Sequence, residues 1–488
     1  MNIRPLSVSL LALGCLLPLA ARAAPAKLLV KGGTFLTMQP GQEDPFVGYM
    51  VIGADGKISE VGKGEPPVGL EATETVDVAG KIIIPGFISA HSHIWQSAFR
   101  GLAPMGYASV GWSQAVYQTQ AVYGTPEDFY WFTLHGALDH LRHGITTAYD
   151  FAYGRRAGAF QDQQLLGELD SGLRVVHGWT HPTNATEAEM RAQLKEFLDF
   201  AEPYRKSPLL LGFSISGVAT PAKNVAIEAA LTREYGFVNE THYLETPVDI
   251  ERQQAYFQNF VAAHALGPSL YFGHFIHTND AMLEAVGQAG GGMSWQPLSN
   301  GRLASGIADI PKYLKYGIKV GMGVDGQASA DLPDPFENMR VGLYLIRAKY
   351  ENGNVLKPID VLRLHTMGSA TIMHIDDRVG SLTVGKYADF LVINTTVVDR
   401  APVYDPYATL VFACTTENLE GVYVGGELVS SYSKLLKHDF AVAQRELYER
   451  VARIRAVNAA APGPAPLLGL PPGVPPDPFT PAAAATAK

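Results

Sequence analysis

Strand-like and helix-like segments alternate through the middle of the chain, and this alternation restricts the fold more than any other feature. The first strand ends at His91-Ser92-His93, and the eighth ends at Asp325. Seven strand–helix steps separate them, roughly 33 residues each, which is close to the length of a βαβ unit. Eight such units form a (β/α)8 barrel of the TIM type. An open, doubly wound sheet would require a Gly-rich phosphate loop after the first strand, which carries His-x-His instead.

The remaining barrel elements follow from hydrophobic patterning and turn residues. The later strands are predicted at 144–148, 174–179, 209–215, 237–242, 269–274, 292–295 and 319–325. The helices are predicted at 126–142, 161–171, 187–202, 225–234, 249–265, 280–288 and 310–316. The fold class is therefore α/β, with a parallel barrel.

Both ends of the chain contain short strands separated by Gly-rich turns, which predicts a small β-sandwich domain built from the two ends. We assign residues 24–84 and 376–435 to this domain and residues 85–375 to the barrel. Residues 436–488 are expected to form a helix over 440–458 and then a disordered tail rich in Ala and Pro.

The first 23 residues are typical of a secretory signal peptide. Arg4 supplies the positive start, 6–19 is a short apolar core, and Ala21-Arg22-Ala23 is a cleavage site. Leu13-Gly14-Cys15 leaves lipidation as an alternative. We expect an exported protein, periplasmic or secreted, without a membrane span after cleavage. Cys414 is then the single cysteine, so no internal disulfide is predicted.

Composition narrows the classes of partner. Of 488 residues, 47% are hydrophobic and 17% are charged, which predicts a packed globular protein. The formal net charge of −9 and the lack of a Lys/Arg cluster argue against nucleic acid binding. A small-molecule substrate is the expected partner, and a homo-oligomer remains open.

Chemically active side chains recur at the strand ends, where a barrel places its active site. His91 and His93 point to the same side of the first strand, because side chains alternate along a strand. His242, His274 and Asp325 end the fifth, sixth and eighth strands. Imidazoles with a carboxylate suit a zinc-like cation that activates water, lowering its pKa to about 7. Further carboxylates can move protons to a leaving nitrogen.

Specific motifs extend along most of the chain. They lie at 85–93, 96, 100–101, 144–147, 241–246, 273–274, 297–303, 323–326 and 380–389. With these motifs the chain resembles the amidohydrolase superfamily, in particular its branch of aminohydrolases and triazine hydrolases.

The resemblance implies roles by position. His91, His93, His242 and Asp325 would bind one divalent metal ion, with Zn²⁺ the first choice and Fe²⁺ the alternative. Asp325 would also take a proton from the bound water, and His274 would contact that water or the substrate oxygen. Glu245 would pass a proton to the leaving group. Predicted substrate contacts are Gln96, Trp112, His181 and Asn300.

One departure from the family pattern concerns the substrate. Purine and nucleoside deaminases of this branch end the fourth strand with a Pro-His pair, whereas this chain has Gly212 to Gly217 there, without histidine. This argues against purine and nucleoside substrates. His181, after the third strand, either lines the pocket or is a loop histidine. The segment 105–116, with Tyr107 and Trp112, is expected to cover the site.

Together these features predict an exported metal-dependent amidohydrolase. It would hydrolyse a carbon–nitrogen bond in an amide, cyclic amide, carbamate or amino-substituted heterocycle. Two alternatives use the same residues: a hydrolytic dehalogenase or esterase, and an inactive relative retained for binding.

Overall fold

The computed structural model describes residues 26–102, 111–118, 121–153, 158–396 and 402–460. The predicted signal peptide, Tyr107 and the predicted tail beyond residue 460 lie outside these ranges. Among the described residues, no helix is both long enough and apolar enough to span a membrane.

The strands and helices fall in the following order. The strands are β1 (Ala26–Phe35), β2 (Phe46–Ile52), β3 (Ile58–Lys63), β4 (Ala72–Asp77), β5 (Ile82–Pro85), β6 (Phe87–His93), β7 (Ile145–Phe151), β8 (Arg174–Trp179), β9 (Leu210–Gly217), β10 (Val238–Tyr243), β11 (Leu270–His274), β12 (Gly292–Trp295), β13 (Lys319–Met322), β14 (Asp325–Gly326), β15 (Phe390–Ile393), β16 (Leu419–Val424), β17 (Glu427–Ser431) and β18 (Lys434–Leu435). The α-helices are α1 (Pro126–Arg142), α2 (Gly158–Ser171), α3 (Glu187–Ala201), α4 (Ala222–Tyr235), α5 (Ile250–Ala255), α6 (Phe257–Ala262), α7 (Asp280–Gln288), α8 (Pro297–Arg302), α9 (Ile310–Lys315), α10 (Pro335–Tyr350), α11 (Pro358–Arg363), α12 (Ser369–Ile372), α13 (Pro406–Ala408) and α14 (Phe440–Ala460).

A parallel barrel forms the centre of the molecule, as predicted. Strands β6 to β13 pair in sequence order, and β14 continues β13 after two residues and pairs with β6. In that last pairing Asp325 lies beside Ser92 and Gly326 beside His93. The barrel is therefore closed at its C-terminal edge by the strand that carries Asp325.

The helices of the barrel cover its outer face, because the apolar side of each helix packs against the apolar side chains of the strands. Helix α1 begins with a capping box, in which Thr125 and Asp128 satisfy each other's backbone N–H groups. Its buried Leu134, Leu138 and Leu141 belong to the main hydrophobic core, which runs between strands and helices. Such burial removes apolar surface from water and fixes each helix over its strands.

The small β domain contains strands from both ends of the chain, as predicted. Its nine strands form one hydrogen-bonded sheet, in which β15 pairs antiparallel with β5. Leu28, Ile52 and Phe390 are buried in a shared core, where the Phe390 and Tyr423 rings stack with centroids 4.2 Å apart. Since β5 leads directly into β6, this domain holds the start of the His-x-His strand.

The observed helices differ from the prediction in two ways. The predicted helix 249–265 is divided into α5 and α6 at Tyr256, whose N–H bonds to Gln253 three residues back and so tightens the turn. Helices α8, α10, α11, α12 and α13 were not predicted. The longest of them is α10, which Asp334 caps and Pro335 begins. Its Asn338 Nδ2 donates to the Gly323 carbonyl between β13 and β14 at 3.0 Å, and its Phe336 ring lies edge-on to Phe87 of β6.

A buried ion pair joins the barrel to the small domain. Arg174 at the start of β8 donates to both carboxylate oxygens of Asp389, at 2.6 Å and 3.0 Å. The two side chains are only 3% and 4% exposed. The guanidinium also lies 3.8 Å from the centre of the Tyr387 ring and donates to the Pro208 carbonyl.

We expect Arg174→Met to lower the free energy of unfolding by about 3–5 kcal/mol, because it leaves the Asp389 carboxylate buried without its cation. Urea denaturation followed by circular dichroism measures this change. Lys195→Ala is the control, since Lys195 pairs with Asp199 on the surface and its loss should cost less than about 1 kcal/mol. A loss below about 1 kcal/mol for Arg174→Met as well would show that the buried pair does not hold the two parts together.

Candidate metal centre

The polar residues predicted at the strand ends converge in the structure. His91 and His93 lie on β6, His242 on β10, His274 at the end of β11 and Asp325 at the start of β14. All are buried. The structure therefore brings together side chains that lie more than 230 residues apart in the sequence.

Unusual backbone conformations aim some of these side chains. Leu244, His274 and Asp325 have φ angles of 54°, 69° and 59°, in the left-handed region that residues other than glycine rarely adopt. Such strain persists only where the surrounding structure enforces it, and it clusters at functional sites. Here it occurs where the strands end and the chain turns around the cluster.

Hydrogen bonds to the Nδ1 atoms orient the two histidines of β6. His91 Nδ1 donates to Glu240 Oε1 at 3.0 Å, and His93 Nδ1 donates to the Phe151 carbonyl at 3.1 Å. Because both acceptors lack a proton, each Nδ1 carries the hydrogen, and a neutral ring has its lone pair on Nε2. This is the arrangement that metal-bound histidines adopt.

The free nitrogen atoms then face one another around a common point. His93 Nε2 lies 3.0 Å from His242 Nε2, and Asp325 Oδ1 lies 3.3 Å from His93 Nε2 and 3.5 Å from His91 Nε2. His91 Nε2 is buried and has no hydrogen-bond partner among the described residues. A divalent cation would satisfy these lone pairs, so the donor set fits a metal such as zinc.

Burial keeps most of the imidazoles neutral, as metal binding requires. It lowers the pKa of His93, takes that of His242 well below its usual value, and lowers that of His274 to about 3. Repulsion from the neighbouring histidines acts in the same direction on His242. These rings therefore offer lone pairs at neutral pH.

His91 and Asp325 are the two charged members of the cluster in the absence of a metal. Burial alone would lower the pKa of His91. The Glu240 and Asp325 carboxylates outweigh burial and raise this pKa above its usual value, to about 10. Burial raises the pKa of Asp325, but the neighbouring His91 and His93 side chains outweigh burial and hold that pKa well below its usual value. A metal would thus displace a proton from His91 and meet an ionised carboxylate.

Glu245 lies at the edge of the cluster, three residues after His242. Its Oε1 is 3.8 Å from His274 Nε2, and 19% of its side chain is exposed. Burial, and to a smaller extent the charge of Asp325, raise the pKa of Glu245 to about 8. This carboxyl group is therefore protonated over much of the neutral range and can donate a proton.

A cavity of about 440 Å³ opens beside the cluster. Its wall includes His93, His242, Glu245, His274 and Asp325, together with the aromatic residues Trp112, Phe151, Tyr117, Tyr153 and Tyr256. Trp112 lines the cavity as predicted, and its Nε1 donates to the Ala328 carbonyl at 2.7 Å. The volume suits a small ligand that packs against aromatic rings.

The other predicted substrate contacts do not line this cavity. Asn300 Nδ2 donates to His274 Nδ1 at 2.8 Å, which leaves the hydrogen of His274 on Nε2, facing Glu245. His181 Nε2 donates to the buried Glu228 at 2.7 Å, so its ring supports a neighbouring loop instead of reaching the cavity. Gln96 is buried against Gly326, and its amide has no partner among the described residues; its contact with substrate stays a prediction.

The wall beyond β9 lacks the histidine of the purine deaminases, as the sequence indicated. Residues Gly217, Val218, Ala219 and Thr220 form it. The Val218 N–H is held by Glu228 Oε1 and Oε2, at 3.2 Å and 3.1 Å. This wall offers small and mostly apolar side chains to a ligand.

Two polar residues near the cluster were not identified from the sequence. Glu240 contacts His91, and Ser299 Oγ donates to Asp325 Oδ2 at 2.5 Å. Strand alternation could have indicated Glu240, because it lies two residues before His242 and so on the same side of β10. Ser299 lies in the motif 297–303, but its contact with Asp325 was not predicted, because that contact depends on how α8 follows β12.

Known proteins of similar sequence include deaminases. The Amidohydrolase family profile matches residues 82–429. The chain is 29% identical to a 5-methylthioadenosine/S-adenosylhomocysteine deaminase of Syntrophobacter fumaroxidans, over 84% of this chain and 94% of the relative. It is 26% identical to a 5'-deoxyadenosine deaminase of Methanosarcina barkeri, over 88% and 100%.

Solved structures with a similar fold include two zinc-containing proteins. An adenosine deaminase from Xanthomonas campestris with bound zinc gives a TM-score of 0.79 at 21% identity, covering 88% of this chain and 99% of that one. Atrazine chlorohydrolase from Arthrobacter aurescens TC1, complexed with zinc, gives 0.76 at 21% identity, covering 87% and 100%. At this identity the likeness establishes the barrel fold.

We expect Gly273→Ala to weaken metal binding by about 10–100-fold, because the added Cβ would lie 2.3 Å from Glu240 Oε1 and 3.2 Å from the His91 ring. Metal content after dialysis, measured by inductively coupled plasma mass spectrometry, tests this. Gly212→Ala on β9 is the control, since its Cβ would meet nothing within 4 Å. Equal metal content in both variants would contradict the proposed location of the centre.

Proposed function

Because this chain belongs to the amidohydrolase family, we propose that it uses the buried cluster to remove an amino group from a small aromatic heterocycle by hydrolysis. The chain is an enzyme of the class that hydrolyses carbon–nitrogen bonds. The observation that carries the finer proposal is the protonated carboxyl of Glu245 facing an aromatic-lined cavity, next to three neutral imidazoles and the ionised Asp325. Deaminases among the sequence relatives support the same choice.

His91, His93, His242 and Asp325 would hold the metal ion, for which we propose Zn²⁺. When bound, the cation makes water a stronger acid, with a pKa of about 7, and supplies hydroxide at neutral pH. Three neutral nitrogen donors and one carboxylate oxygen suit zinc and leave room for water.

The protein's own groups would move the protons. Asp325 Oδ2 is held by Ser299, and its carboxylate would accept a proton from the attacking water. Glu245 would protonate the amino nitrogen as the carbon–nitrogen bond breaks, so that ammonia leaves. His274 Nε2 carries the hydrogen set by Asn300 and would donate to the developing oxygen.

The aromatic rings of the cavity would orient the substrate. Phe151 and Tyr153 lie edge to face with centroids 5.0 Å apart, and Tyr117 is 5.0 Å from Tyr153. A flat ring gains by stacking or edge contact with such side chains. The small wall after β9 argues for a substrate without the contact that purine deaminases make there.

We expect Glu245→Gln to lower kcat/KM for ammonia release by about 100-fold or more while the protein keeps its metal, because the amide cannot give up a proton. The assay would screen amino-substituted triazines, pyrimidines and purines, with amides and carbamates for comparison. Glu251→Gln, at an exposed position of α5, is the matched control and should retain full activity.

The product of this screen also tests the choice of reaction. Ammonia release supports deamination, whereas halide release from chlorinated rings or acid release from esters would replace it with dehalogenation or ester hydrolysis. Wild-type activity that is unchanged by Glu245→Gln would contradict the assigned proton path.

Removal of one ligand tests the metal itself. We expect His242→Ala to bind less than about 0.1 divalent ion per chain, against about one for wild type, because three donors remain where four are needed. Metal analysis of the dialysed proteins measures this. Full occupancy in His242→Ala would place the metal elsewhere.

We propose as well that the protein is exported, on the evidence of residues 1–23. Expressed in a bacterial host with an outer membrane, the mature chain should be found in the periplasm and begin at Ala24. Cell fractionation and N-terminal sequencing measure this, with Ala23→Leu as a variant that should block cleavage. A cytoplasmic protein that retains the segment would contradict export.

A further inference from the structure

We propose that Glu240 is a positioning residue for the metal centre, which orients His91 and strengthens it as a ligand through a charged hydrogen bond. This inference rests on the metal site of the proposed function. Glu240 Oε1 accepts the His91 Nδ1 hydrogen at 3.0 Å, and both side chains are 0% exposed. A carboxylate on the outer nitrogen fixes the tautomer and makes Nε2 a better donor to a metal.

The strand geometry is arranged for this contact. Glu240 and His242 lie on the same side of β10, so one strand supplies both a ligand and the support of another ligand. On the neighbouring strand β11, Gly273 leaves the space between Glu240 and His91 open, because a Cβ there would be 2.3 Å from Glu240 Oε1. The contact therefore depends on residues of three strands.

Among the described residues, His91 is the side chain to which Glu240 is hydrogen-bonded. Its second oxygen, Oε2, is buried and has no hydrogen-bond partner among the described residues. Burying an ionised group that is only partly hydrogen-bonded lowers the free energy of unfolding. An apolar residue of similar size would fill the space without this loss of stability. The cost is explained if the charge acts on His91.

The two histidines of β6 are supported differently, which makes the prediction specific. His93 donates to a backbone carbonyl, which is neutral, whereas His91 donates to a carboxylate. Hydrogen bonds to ionised acceptors are roughly twice as strong as neutral ones. His91 should therefore be the more firmly held ligand of the pair, and its loss of support should be measurable in metal affinity.

Zinc affinity of purified protein tests this role directly. Wild type, Glu240→Gln and Glu240→Leu would be stripped of metal and titrated with zinc against a chromophoric chelator. We expect the dissociation constant to rise about 10-fold in Glu240→Gln, which keeps an acceptor but no charge, and about 100-fold in Glu240→Leu. Cobalt-loaded proteins should show a shifted d–d absorption in both variants, because the donor strength of His91 has changed.

A control separates this effect from general damage to the core. Glu168 is another fully buried glutamate, and it accepts from His177 at 2.9 Å without contacting the cluster. Glu168→Gln should bind zinc within about 2-fold of wild type. The zinc-dependent rise in melting temperature should shrink only in the Glu240 variants.

Each result is decisive. Wild-type zinc affinity and cobalt spectrum in Glu240→Gln and Glu240→Leu would overturn the role of Glu240 and leave the proposed function intact. Equal weakening in Glu168→Gln would also overturn it, because any buried glutamate would then serve. Failure of the wild type to bind zinc or cobalt would instead overturn the proposed function.

Discussion

Closure of the barrel by β14 against β6 is the interaction on which the site depends. Asp325 lies beside Ser92 in this pairing, between the two histidines of β6. Without it, the first and the last strand would form separate edges, and Asp325 would not approach His91 and His93. The hydrogen bonds of two residues therefore bring together two proposed metal ligands, His93 and Asp325, that are 232 positions apart. The left-handed conformation of Asp325 belongs to the same turn.

Around this closure the protein buries several ionisable groups, and their surroundings set their charge. Burial keeps His242 and His274 neutral, and the pairing of Asp325 with His91 and His93 keeps its carboxylate charged. The Arg174–Asp389 pair performs a structural task of the same kind at the opposite side, between barrel and small domain. Buried charged groups therefore lie in the cluster, where they would bind a cation or transfer a proton, and between the barrel and the small domain, which they join.

Much of this could be predicted from the sequence, because strand ends in a parallel barrel share one edge. The positions of His91, His242, His274 and Asp325 followed from counting strands and from the resemblance to a family. The contacts of Asn300 and Ser299 could not be predicted by counting strands, since they depend on the chain conformation after β12. Strand alternation could have indicated Glu240, but not its contact with His91. His181 shows the limit of counting strand ends. It follows a strand end, but its ring is hydrogen-bonded to Glu228 and does not line the cavity.

A crystal structure of the zinc-loaded protein, with anomalous scattering measured at the zinc edge, tests the central claim most directly. We expect one zinc ion, about 2.0–2.1 Å from the Nε2 atoms of His91, His93 and His242 and about 2.0–2.2 Å from an oxygen of Asp325. A zinc ion bound away from these four residues, or coordinated without His242 and Asp325, would contradict it.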